Sequence, residues 1–109
     1  MSSLDTVKKM MDLCEAGKFD EAAEFIADDV KVTAPSGPMN GISSKAEWIT
    51  TVKKHHKSGP KWGEPRVGAN DKQVVMDGTV KVLFVTMNVT RTIEMNDAGK
   101  ISIIIAAKA

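Results

Sequence analysis

Tyrosine is absent from this chain, and cysteine occurs once, at Cys14. The first absence removes every mechanism that needs a phenol. The second excludes an internal disulfide framework and a cysteine-built zinc cluster. Long apolar runs are missing too: the longest, Ile103 to Ala107, is far too short to span a bilayer. No charged start followed by an apolar run marks a signal peptide, so a cytoplasmic location is expected. Neither charge sign dominates. Fifteen Lys/Arg against fourteen Asp/Glu leave a formal net charge of +1, which implies no polyelectrolyte partner for the molecule as a whole. What is present suits one domain over residues 1–109: 42% hydrophobic and 27% charged residues can bury a real core and stay in solution.

The chain divides into a helical front, a middle helix and a strand-rich back. Leu4, Val7, Met11 and Cys14 recur at helical spacing after a Ser2/Ser3 cap and before Gly17. A second short helix is predicted from about Asp20, with Phe19, Ala23 and Ile26 on one side. Val30 to Thr33 reads as a short strand, followed by a loop from Pro35 to Gly41. Ser44 and Glu47 are spaced as a capping box for a third helix, which must stop at Ser58-Gly59-Pro60. From Trp62 onward β-branched residues dominate, with turns offered at Asn70-Asp71 and from Asn96 to Gly99. Asp77-Gly78 reads as a further hairpin turn or a bulge, which leaves strand boundaries open between Val74 and Val89.

Helices followed by a strand meander make an α+β plan, with three helices from the N-terminal half on one face of a curved, mostly antiparallel sheet. Residues 101–107 are apolar on both faces, as in a strand covered on both sides. The helices cover one side, and a second copy of the chain is the simplest cover for the other. A homodimer through the sheet is therefore expected, against the alternative of a sheet rolled tightly enough to bury that strand alone.

Charge is uneven along the chain. Residues 1–30 hold eight acids and three bases, and residues 45–66 hold six bases and two acids. A basic segment with His55, His56, Trp48 and Trp62 brings nucleic acid or an anionic membrane to mind. No recognition helix or RNA-binding aromatic motif accompanies it, so it is read as a solvated helix face, with neither partner expected. Adjacent histidines on a helix diverge by about 100° and cannot readily share a metal. No motif supplies further ligands, and no metal or cofactor is expected. His55 shares a helix face with Trp48 and Val52, which makes it a candidate general base without a visible orienting partner. Asp28 is a second such candidate, read otherwise as a solvated turn acid. Cys14, on an apolar stripe, reads as a core residue.

Arg91 is the most informative residue. In a strand over residues 87–95, Met87, Val89, Arg91, Ile93 and Met95 share one face, and Asn88, Thr90, Thr92 and Glu94 share the other. Arg91 is then the one charge on an apolar face. A buried guanidinium is costly unless it is paired or meets a wet cavity. It either pairs with an acid such as Asp28, Asp29 or Glu15, or binds an anionic group in a pocket.

The segments Ala16-Gly17-Lys18-Phe19-Asp20, Ile26-Ala27-Asp28-Asp29-Val30-Lys31-Val32 and Asp97-Ala98-Gly99-Lys100-Ile101, in this order, resemble the NTF2-like superfamily over almost the whole chain. That superfamily includes SnoaL-type polyketide cyclases and ketosteroid isomerases. The resemblance implies a cone in which helices cap a curved sheet around an apolar pocket. Registered on the isomerases, their catalytic aspartate falls on Ala34, their oxyanion tyrosine on Met10, and their protonated aspartate on Arg91. All three groups are missing, so isomerisation by that mechanism is excluded. A pocket-lining aromatic of the isomerases falls on Trp48. The lining implied is Met10, Cys14, Ala34, Trp48, Val52, Met87, Val89 and Arg91, an apolar wall with one cation. Three functions follow as expectations. The first is binding of a small hydrophobic anion, with Arg91 holding the acid and Trp48 packing the body. The second is a SnoaL-like cyclase or isomerase using His55 or Asp28 as base. The third is a dimerisation module without a ligand.

Overall fold

The computed structural model describes residues 1–109, the side chain of Val82 apart. Its order is α1 (Ser3–Glu15), α2 (Phe19–Ala22) with a 3₁₀ turn (Ala23–Phe25), β1 (Ile26–Thr33), α3 (Lys45–His55) with a 3₁₀ turn (His56–Ser58), β2 (Lys61–Trp62), β3 (Arg66–Val67), β4 (Gln73–Val82), β5 (Val85–Met95) and β6 (Ile101–Lys108). Helix starts follow local chemistry. Ser2 Oγ accepts from the Asp5 N–H while Asp5 accepts from the Ser2 N–H, and Ser44 Oγ accepts from the Glu47 N–H. α1 ends where Gly17 takes φ +77°, and the Lys18 N–H donates to the Leu13 carbonyl.

The strands form one curved sheet in the order β1-β6-β5-β4-β2, with β3 also pairing β4. Only β1 and β6 pair in parallel. α1 buries Val7, Met10 and Cys14, and α3 buries Trp48 and Val52, against the inner sheet residues Val74, Met76, Ile93, Ile101 and Ile104. Among the described residues, no helix is long and apolar enough to cross a membrane.

Three local expectations are corrected. β1 starts at Ile26 rather than Val30, and Ile26 belongs to the sheet, not to a helix face. An irregularity in its pairing with β6 lets Asp28 and Asp29 both face solvent while Ile26, Val30 and Val32 are buried. Asp77-Gly78 is neither a turn nor a bulge: β4 pairs with β5 without interruption from Gln73↔Glu94 to Val82↔Val85. The turn lies instead at Leu83-Phe84. Finally, β5 begins at Val85, which extends the strand but keeps Val89, Arg91, Ile93 and Met95 on the inner face as expected.

Candidate functional site

Strand alternation carries Arg91 to the inner face of β5, opposite Met76 and next to Ala106 in the ladders. Its guanidinium is half-buried and finds no carboxylate among the described residues. The acids expected as partners are spent elsewhere or solvated: Glu15 lies 3.8 Å from His56, Asp28 lies 3.3 Å from Lys45, and Asp29 is exposed. Instead Arg91 Nε and Nη2 both donate to the Met76 thioether, at 3.3 and 3.1 Å. Thioether sulfur is a weak acceptor, so this contact satisfies the cation poorly. The Trp62 ring covers one face of the guanidinium, its centroid 4.5 Å from Cζ. Nη1 donates to no acceptor among the described residues and is not sealed from solvent.

Trp62 is held there by β2, which pairs antiparallel with β4 and sets Trp62 opposite Gly78. The ring lies where a side chain at Gly78 would be: a Cβ there would sit 2.5 Å from Trp62 Cε3 and 2.6 Å from the Lys61 carbonyl oxygen. Trp62 is also the wall between two open grooves. One, of about 570 Å³, runs along Lys61, Trp62, Gly78, Thr79, Val89 and Ala109. The other, of about 480 Å³, runs along Lys8, Met11, Asp12 and Glu64. Arg91 lies two positions from Val89 on the same strand face, behind the Trp62 ring.

The electrostatics follow from burial. Desolvation pushes the Arg91 guanidinium down to about 10, with Cys14 acting weakly the other way, so it stays charged at neutral pH. Burial pushes the Cys14 thiol up to about 11, against the pull of Arg91, and its Sγ donates to Met10 Sδ at 3.7 Å. Cys14 is thus a protonated core residue.

The residues implied by the family register separate into two groups. Met10, Cys14, Trp48 and Val52 are in the packed core, and Trp48 is only 3% exposed. Val89 lines the first groove, Met87 is half-exposed beside it, and Ala34 is half-exposed after β1, its N–H donating to Asn40 Oδ1. The candidate bases do not converge on Arg91. The Asp28 side chain is 97% exposed in its ion pair with Lys45. His55 is half-buried with no side-chain hydrogen bond among the described residues, whereas its neighbour His56 stands edge-on to Phe19. The acidic front and basic middle of the sequence meet as Glu15–His56, Asp20–Lys53 and Asp28–Lys45. Sequence reasoning gave Trp62 no place in the site, because only the β2–β4 register brings it over Arg91.

The geometry defines an α+β cone in which Arg91, at the edge of the packed interior, has no carboxylate partner among the described residues. No protein-family model and no curated protein matches the sequence. Solved structures do match in shape. An NTF2-like protein of unknown function from Cytophaga hutchinsonii aligns over 100% of this chain and 91% of its own, at 11% identity and TM-score 0.77. A Mycobacterium tuberculosis protein in complex with estradiol-17beta-hemisuccinate aligns over 100% and 95%, at 14% identity and TM-score 0.77. A steroid delta-isomerase from Pseudomonas aeruginosa aligns over 95% and 77%, at 11% identity and TM-score 0.75. The chain has the NTF2-like fold.

Proposed function

We propose that this chain is a cytoplasmic NTF2-like protein that binds a small hydrophobic molecule carrying an acidic group. The observation that carries the reading is the half-buried Arg91, which has a thioether and an indole for neighbours and no acid. A carboxylate meeting the Nη1/Nη2 end of the fork supplies the acceptor that the protein does not. The apolar body of the ligand lies in the groove along Trp62 and Val89, with Met87 beyond. Trp48, expected to pack the ligand's body, is instead sunk in the core and lines neither groove. One fold neighbour holds estradiol-17beta-hemisuccinate, an apolar skeleton joined to an acid, which is the ligand class inferred here.

Titration with dodecanoate and with dodecanol, followed by tryptophan fluorescence, tests the proposal. The acid is expected to bind at least tenfold more tightly than the alcohol, and Arg91→Met to abolish the difference. Equal binding of acid and alcohol by the native protein would overturn it.

The absence of convergence between His55, Asp28 and the groove supports no reaction, and none is proposed. A second reading, an association module, has its own support: Met10, Trp48 and Met76 fill the interior, while Ile103 and Ile105 of β6 stand exposed on the outer face of the sheet. We propose homodimerisation through that face, compatible with either reading.

A further inference from the structure

The β4–β5 hairpin ends in a turn whose residues oppose its geometry. Val82 pairs with Val85, leaving a two-residue turn, and Leu83 takes φ +57°. Two-residue turns with φ above zero at the first central position ordinarily take glycine there, because a Cβ crowds the backbone. Here that position is leucine, followed by phenylalanine. Neither side chain gains burial in return: Leu83 is 90% exposed and Phe84 104%, with Val85 also exposed. A segment that breaks its local rule and leaves apolar groups in water marks an interaction surface.

Charge around the tip identifies the partner. Between Asp77 and Glu94 the hairpin holds no acid. Lys81 lies two residues behind Leu83, Lys61 pairs opposite Thr79, and Lys108 pairs opposite Val89. All three lysines are exposed and none forms an ion pair among the described residues. At a rise of about 3.3 Å per residue, this collar stands roughly 7 to 17 Å behind the tip. Lys61 and Lys81 follow the outer face of the sheet and Lys108 the inner face, so both sides of the hairpin are covered. An apolar wedge that enters a bilayer by about 5–10 Å brings such a collar to the phosphate layer. We propose that the Leu83-Phe84-Val85 tip docks this protein on an anionic bilayer surface. A second copy fits the tip less well, since tip-to-tip contact sets two lysine collars against each other and buries far less than about 800 Å² per partner.

This proposal departs from the expectation of no membrane partner, which rested on the lack of a spanning apolar run and on reading the basic segment over residues 45–66 as a solvated helix face. Neither argument bears on three apolar residues at a turn. It does not depend on what Arg91 binds. Flotation of the full chain with vesicles of phosphatidylcholine alone, or with 30% phosphatidylglycerol (about one anionic lipid in three), tests it. Binding is expected only to the anionic vesicles and is expected to fall with added salt. The double variant Leu83→Gly, Phe84→Ser supplies residues that the turn favours, so its thermal unfolding should match or exceed that of the native protein. Its vesicle binding should fall at least tenfold. Failure of the native protein to float with anionic vesicles would overturn the proposal, as would equal binding by the double variant. Loss of self-association in that variant, with no vesicle binding by either protein, would assign the tip to a second copy instead.

Discussion

At the scale of single residues, Arg91 is a group kept at some cost to the fold. Its desolvation is offset only by the Trp62 face, worth about 0.5–2 kcal/mol, and by a soft sulfur acceptor. Replacing an unpaired buried charge with an apolar side chain of similar length is often neutral or stabilising. Arg91→Met is therefore expected to unfold in urea within about 1 kcal/mol of the native protein while losing selectivity for dodecanoate. A loss of several kcal/mol would mean that the guanidinium has a structural partner. Cys14 makes a second prediction, with a definite sign. Its thiol is raised from 9.0 to about 11 in the folded chain, so the unfolded chain releases the proton first. The stabilising contribution is complete below pH 9 and is lost as pH rises from there toward 11, on the order of 3 kcal/mol in all. Urea midpoints at rising alkaline pH should fall more steeply for the native protein than for Cys14→Ala. Parallel slopes would refute the assignment.

Elements differ in how far they can be read from sequence, and the dividing line is the range of the interaction that fixes them. The start of the third helix was readable, because Ser44 Oγ caps the Glu47 N–H within one turn, although the Glu47 carboxylate accepts from the Ser43 and Ser44 hydroxyls rather than from the Ser44 N–H. Ser44→Ala should cost about 1 kcal/mol in thermal or urea unfolding. The inner face of β5 was readable as well, since alternation alone sets Arg91 among Val89, Ile93 and Met95. Asp77-Gly78 was misread because the local signal for a turn is the same dipeptide that, in this strand, makes room for an indole from another strand. The place of Trp62 over Arg91 was not readable for the same reason: it appears only when β2 is laid on β4. Gly78→Ala tests that account. With backbone oxygen and ring both too close, the new methyl must push β2 outward, at a cost of about 1–3 kcal/mol. The Trp62 emission, read in a Trp48→Phe background, should shift toward that of a solvated indole. A spectrum and stability unchanged by the methyl would show that Trp62 does not rest on Gly78.

For the molecule as a whole, the interior strand β6 sets the remaining demand. β6 lies between β1 and β5, and a register shift near its start lets both Ile101 and Ile104 face the helices. The shift leaves Ile103 and Ile105 on the opposite face, 37% and 39% exposed, in the middle of the sheet rather than at its edge. Ile105 lies between Thr33 of β1 and Thr92 of β5, small polar residues that do not shield it, and Ile103 lies between Lys31 and Glu94 and stays partly exposed beside them. Apolar side chains at the centre of an otherwise polar sheet face are better explained by a twofold partner than by solvent, because a symmetric contact buries the same patch twice. Sedimentation of the native protein should then give twice the chain mass. Ile105→Lys, which sets two like charges near the symmetry axis, should give the monomer with its fold intact by circular dichroism. The vesicle-docking hairpin lies at the far end of β4 and β5, so its double variant should leave the dimer unchanged. A native monomer would mean that these isoleucines simply face water, and the fold would then need only its helices to bury the strand.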